Sequence, residues 1–153
     1  MKKLLIIALL LISVQSYAQP DIQTVRRLYA SSVSSESACR QLLQLLSTGN
    51  TVTDPVFTGY KASATMIMGK HVLNPFSRLS WFNKGKRMLE KAIASEPGNI
   101  ELRFLRYNAQ LNAPAFLGYR DHLATDKAFL TGNRKHVQDK YLYDEISKIT
   151  TEE

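Results

Sequence analysis

Apolar residues in this chain return every three or four positions and hardly ever alternate one for one with polar residues. That spacing lines them up on one face of a helix, whereas a half-buried strand needs a period of two. No Asn-Gly or Asp-Gly pair sits between β-branched runs, so the short hairpin signal of β structure is missing as well. The fold class to expect is therefore all-α.

The stripes can be followed along the chain. Ile22, Val25, Leu28 and Tyr29 share one face of a first helix. A second starts near Ser35 or Glu36, buries Cys39, Leu42, Leu43 and Leu46, and is closed by Gly49-Asn50. A third opens at Asp54-Pro55, where the carboxylate can cap free amides and proline suits the first helical position. Its stripe is Phe57, Tyr60, Ala64, Ile67 or Met68, and His71 or Val72, and Asn74-Pro75 stops it. Phe76 to Ser80 reads as a link or a single turn. A fourth helix, Ser80 to Glu96, buries Trp81, Gly85, Met88, Leu89, Ala92 and Ile93 and is broken by Pro97-Gly98. Asn99 caps a fifth with Ile100, Phe104, Tyr107 and Leu111 inward. Phe116, Leu117 and Tyr119 should pack inward from a short connector. A sixth helix covers about Arg120 to Thr131, closed by Gly132-Asn133. The seventh carries Val137, Tyr141, Leu142, Glu145, Ile146 and Ile149, with Tyr143 off that face. About seven helices on short links favour antiparallel neighbours. The architecture expected is one helical domain over residues 19–149, built as antiparallel hairpins stacked into a short α-α superhelix, with a frayed tail at 150–153.

The first eighteen residues do not belong to that pattern. Lys2 and Lys3 precede an apolar run from Leu4 to Val14, and Ser16-Tyr17-Ala18 puts small residues where a signal peptidase reads, so cleavage before Gln19 is expected. The run is too short to cross a hydrocarbon core of about 30 Å. No cysteine follows closely, so a lipoprotein is not expected. Export, to the periplasm or beyond, without a transmembrane anchor after cleavage, is the localisation implied. Removing the two leader lysines lowers the formal charge from +7 to +5. One cysteine excludes an intramolecular disulfide and a multi-thiolate metal site.

Gly85, Leu89, Ala92 and Pro97 together resemble the second half of a tetratricopeptide repeat, in which small residues let two helices approach and proline ends the second. Asn99 to Asn133 has the repeat length of about 34 residues. The preceding unit from Asp54 is longer by a segment around Asn74 to Ser80, and the repeat's first-helix pattern is only loosely echoed by Tyr60 and Gly69. A second resemblance covers most of the chain after the leader. Glu-x-Arg-Phe-x-Arg at Glu101 to Arg106, followed by Pro-x-Phe-Leu-Gly-Tyr at Pro114 to Tyr119, is similar to a group of small exported proteins of Bacteroidota. That resemblance implies a helical, exported protein and carries over no catalytic residue.

Chemistry-bearing residues are few. His122 and Asp126 lie four apart on one helix face and could share a metal, but two ligands are not a site and His71 and His136 are remote in sequence. Cys39 among leucines reads as a buried thiol rather than a nucleophile or an intermolecular bridge. Arg103 and Arg106 could grip a carboxylate or phosphate of a partner, with Tyr107 beside them, or pair internally with Glu101 or Asp126. Lys84, Arg87 and Lys91 share one side of the fourth helix, and Arg26-Arg27 and Arg134-Lys135 add positive charge; Lys86 and Glu90 are spaced as an ordinary i,i+4 pair. No nucleotide, zinc-protease or nucleophile-elbow motif occurs.

The function expected is a non-enzymatic protein- or peptide-binding or scaffold module of the cell envelope. It would use a groove lined by the first helix of each hairpin, with Arg103, Arg106, Tyr107, Lys84, Arg87 and Lys91 as candidate contacts and no cofactor or metal. The alternatives are a small exported metal-dependent hydrolase and a basic module docking on an anionic envelope surface. Nucleic acid is not an expected partner, since export and the absence of a recognition motif both argue against it.

Overall fold

The computed structural model describes residues 19–47, 51 and 53–151. The leader expected at Met1 to Ala18 and the cap expected at Gly49-Asn50 lie outside the described residues. Among the described residues there are seven α-helices and no strand: α1 (Ile22–Ser32), α2 (Glu36–Leu45), α3 (Pro55–His71), α4 (Pro75–Ser95), α5 (Ile100–Asn112), α6 (Leu123–Asn133) and α7 (Lys140–Thr151). Single 3₁₀ turns at Ala115–Leu117 and Arg134–His136 link the last three.

Short polar side chains set most helix starts. Asp21 accepts from the Thr24 N–H, Ser35 from Ala38, Asp54 from Val56 and Phe57, and Asn99 from Glu101 and Leu102. Such caps contribute about 1 kcal/mol each. Asn74 does the same for Phe76 and Ser77, with Pro75 in the first turn. Asn74-Pro75 is thus a start as well as a stop. The fourth helix begins at Pro75, and the link expected at Phe76 to Ser80 is its first turns. At the other end α7 reaches Thr151, so part of the segment expected as a tail is helical backbone.

Helix α3 is the hub, with neighbours α1, α2, α4 and α5. The single stripe expected for it is too narrow. Phe57, Tyr60, Ala62, Ala64, Met66 and Met68 are all buried, together with Ser63 and Thr65, so the helix is enclosed nearly all round. A central helix needs apolar or small residues on every face. Its closest partner is α4. A Cβ added to Gly85 would lie 2.5 Å from the Ala62 carbonyl oxygen, and one on Gly69 would lie 3.0 Å from that of Arg78. Moving backward along α3 from Gly69 to Ala62 thus moves forward along α4 from Arg78 to Gly85, so the pair is antiparallel. The small residue at Gly85 is there because the two backbones nearly touch.

The hairpins α1/α2, α3/α4 and α5/α6 stack side by side. Their first helices touch in series, α1 on α3 and α3 on α5, while no comparable contact joins α2, α4 and α6. The all-α architecture of stacked hairpins is therefore the one the chain adopts. Some inward assignments are corrected. Leu111 is exposed, because the inward side of α5 is set by Leu102, Phe104, Leu105 and Tyr107. Phe116 is 86% exposed while its neighbour Tyr119 is buried. Gly118, at φ 59°, turns the connector left-handed between them, a conformation glycine adopts without strain. Val137 precedes α7 instead of lying in it.

Candidate binding site

The charged residues singled out in the sequence fall into two interior clusters and one outer face. In the first cluster, Arg26 of α1 forks onto Glu101 at the start of α5, donating from Nε and Nη2 at 2.8 and 2.9 Å. The Tyr60 hydroxyl of α3 donates to the same carboxylate at 2.5 Å. A further Arg26 nitrogen lies 2.7 Å from Asp139, which also accepts from the Leu142 N–H and so caps α7. Burial opposes ionisation of Asp139, but the Leu142 N–H, the Gln23 amide and Arg26 outweigh it and hold its pKa below the ordinary carboxylate value. Arg26 is buried and is no part of a positive surface, which corrects that expectation.

In the second cluster Asp126 of α6 is 0% exposed. Arg106 of α5 donates to it from Nε and Nη2 at 2.7 and 2.9 Å, and Arg103 donates from Nε. Arg106 reaches on to Glu90 of α4 at 2.9 Å, and the Tyr119 hydroxyl donates to Glu90 at 2.6 Å. Burial first, and the bond to Glu90 second, raise the Tyr119 pKa. Arg103 also lies over the Phe129 ring, and Lys86 over that of Tyr119. Glu90 is therefore engaged by Arg106 and Tyr119, and the i,i+4 pair expected with Lys86 is replaced.

These positions overturn part of the expected binding surface. Arg106 and Tyr107 are buried and the half-buried Arg103 guanidinium is engaged by Asp126, so the three do not form a free basic surface. An unpaired buried charge is very costly, and an interior carboxylate satisfies these arginines where a groove would not. Asp126 is likewise neither a metal ligand beside His122 nor part of a solvated face. His122 is exposed just before α6, and His71 bonds the Ser32 carbonyl at 2.8 Å. Among the described residues no group of three or more His, Cys, Asp or Glu could hold a metal ion. Cys39 is buried and its thiol donates to the Ala64 carbonyl at 3.3 Å. Burial pushes its pKa up to about 11, so it is neither a nucleophile nor placed to bridge to another chain.

Lys84, Arg87 and Lys91 are exposed along α4, as their spacing required. Lys84 lies over the Trp81 ring, 5.7 Å from its centre.

An apolar concave feature of the fold lies elsewhere. An apolar cleft of about 150 Å³ opens between the first helices of the three hairpins. Tyr29 of α1, Ser63 and Ile67 of α3, Phe82 of α4, and Asn108 and Ala109 of α5 form its walls, with Lys70 in the lining and exposed. Tyr29 is steadied by an edge-on contact with the Tyr60 ring at 5.3 Å. Burial is the main cause that raises the Tyr29 pKa, with the Asn108 side chain bonding to it in opposition, so the phenol is neutral. The Ser63 hydroxyl is buried, with no hydrogen-bond partner among the described residues. The lining contains no acidic side chain. On α5 the side that faces this cleft is Asn108, Ala109 and Asn112, and Arg103, Arg106 and Tyr107 lie outside its lining.

No protein-family model, curated protein or solved structure matches this chain. Among the described residues no helix is long and apolar enough to cross a membrane.

Proposed function

We propose that this chain is a non-enzymatic binding module of the cell envelope that takes up one large apolar side chain of a protein or peptide partner in the cleft between α1, α3 and α5. The observation that carries the reading is the cleft itself, an apolar recess between the first helices of the hairpins. A space of about 150 Å³ suits a benzene-sized group. It is smaller than the roughly 300–1,000 Å³ usual for drug-sized ligands and cofactors. Lys70, in a lining free of acids, favours a partner that presents a carboxylate close by. The leader sequence supports placement in the envelope, and the resemblance to small exported proteins of Bacteroidota agrees with it.

The test is selection from a random peptide display library, on the protein and on its Ala109→Phe variant, whose added ring would occupy the cleft. Recovered peptides should share a large apolar residue and lose binding to the variant. Peptides that bind both proteins equally would remove the cleft as the site.

A further inference from the structure

The tip of the α3/α4 hairpin combines two features that, Lys70 apart, lie outside the cleft lining. Leu73 is 92% and Phe76 84% exposed, and Leu79, one turn further on, is also exposed. Isolated apolar residues on a surface are ordinary, but large ones this exposed at one projecting turn mark a contact site. The second feature is charge. From Pro55 to Leu89 the chain contains Lys61, Lys70, Arg78, Lys84, Lys86 and Arg87 and not one Asp or Glu. Lys70 and Arg78, both exposed, stand within a turn of the apolar tip, and Lys84 follows on α4. Arg78 uses its Nε–H on the Val72 carbonyl, at 2.7 Å, which ties the tip together and leaves the guanidinium at its edge.

A projecting apolar turn has no recess for a partner's side chain. It fits a surface that opens around it, and an acid-free basic flank selects a negative one. We infer that the α3/α4 tip inserts Leu73 and Phe76 into the headgroup layer of an anionic phospholipid bilayer, with Lys70, Arg78 and Lys84 set against the lipid phosphates. Apolar side chains at the headgroup boundary and basic residues just outside it are the two contributions that hold peripheral proteins on such surfaces. Only Lys70 is shared with the cleft lining; Leu73, Phe76, Arg78 and Lys84 lie outside it, so either reading can fail without the other.

Trp81, the chain's single tryptophan, sits two residues beyond Leu79 and reports on this region alone. The experiment is quenching of its fluorescence in the full-length protein by vesicles containing brominated phosphatidylcholine, with and without phosphatidylglycerol. Quenching should require phosphatidylglycerol and should fade at about 1 M salt, where the screening length falls to about 3 Å. Leu73→Ser/Phe76→Ser should weaken vesicle partition at least tenfold while circular dichroism and thermal midpoint stay as in the parent. Lys70→Glu/Lys84→Glu should weaken it in the same direction. Both variants alter exposed side chains, and residues 1–18 are common to every protein compared. Three results would overturn the inference: no quenching, equal quenching without phosphatidylglycerol, or equal quenching in the serine variant. Self-association that the serine substitutions abolish, without vesicle quenching, would assign the tip to a second copy of the chain instead.

Discussion

Replacing Asp126 by Asn should be among the most damaging single changes in the molecule. Asp126 is fully buried and accepts three N–H bonds from two guanidinium groups, Arg103 and Arg106. Asparagine is nearly the same size, so no cavity forms. What changes is that one acceptor oxygen becomes an NH₂ facing arginine N–H groups, and the pair loses its compensating charge. Arg106 keeps Glu90 at 2.9 Å, and Arg103 keeps the Pro97 carbonyl at 3.3 Å and the Phe129 ring. Breaking a buried ion pair from one side costs about 3–5 kcal/mol. A domain of this size has about 5–15 kcal/mol in total, so the variant should be marginal. Its thermal midpoint should fall by roughly 10–15 °C. Urea unfolding followed by far-UV circular dichroism measures the loss. Lys140→Ala, which removes an exposed i,i+4 pair with Asp144, should cost about 0.5 kcal/mol or less and serves as the control. Adding Arg106→Met to Asp126→Asn should cost much less than the sum of the single changes, because each alone strands the other partner. A loss for Asp126→Asn no larger than that for Lys140→Ala would refute the claim that this cluster holds α4, α5 and α6 together.

Other changes test other parts of the fold. Gly85→Ala should destabilise the protein by about 2 kcal/mol in the same urea assay, because its Cβ would lie 2.5 Å from the Ala62 carbonyl oxygen, and this overpacking outweighs alanine's helix advantage of about 1 kcal/mol. Cys39, with its thiol pushed up to about 11, should resist iodoacetamide at neutral pH in the native protein and react fully in urea; fast native labelling would contradict its burial. Burial raises the pKa values of Tyr29, Tyr60 and Tyr119 above their ordinary 10, so their stabilisation is complete below pH 10 and is lost as pH rises beyond it. An ultraviolet tyrosinate titration should therefore show these phenols ionising only with alkaline unfolding, and smooth ionisation near pH 10 with the fold intact would contradict it.

Much of this fold was legible because the signals are local. Asp54-Pro55 and Asn99 act through amides two or three residues away, so spacing alone locates those helix starts. Asn74-Pro75 carries the same signature as Asp54-Pro55, and reading it only as a stop shortened α4 by a turn and more. Enclosure of α3 also left a trace, since Gly59, Ala62, Ser63, Ala64 and Gly69 are too small and uncharged for a solvated face. The ion clusters were not legible. Residue types showed that Arg103 and Arg106 must find carboxylates if buried, but Arg26 meets Glu101 across 75 positions and Arg106 meets Asp126 across 20. Nothing local fixes such partners. Arg103 and Arg106 read as candidate contacts, yet with Glu101 they are struts of the interior. The cleft escaped notice for the opposite reason: Asn108, Ala109 and Ser63 carry no conspicuous chemistry, and only the stacking of α1, α3 and α5 brings them together.

The account depends on Arg26 of α1 and Arg103 and Arg106 of α5 facing inward, which leaves the cleft and the hairpin tip as the proposed binding surfaces. Proton exchange at the arginine Nε–H groups, followed by ¹⁵N-resolved NMR at neutral pH, tests this directly. Arg26, Arg103 and Arg106 each donate Nε–H to a carboxylate out of solvent, so these signals should persist and exchange far more slowly than that of exposed Arg27. Exchange of Arg103 and Arg106 as fast as that of Arg27 would place them at the surface and contradict the account.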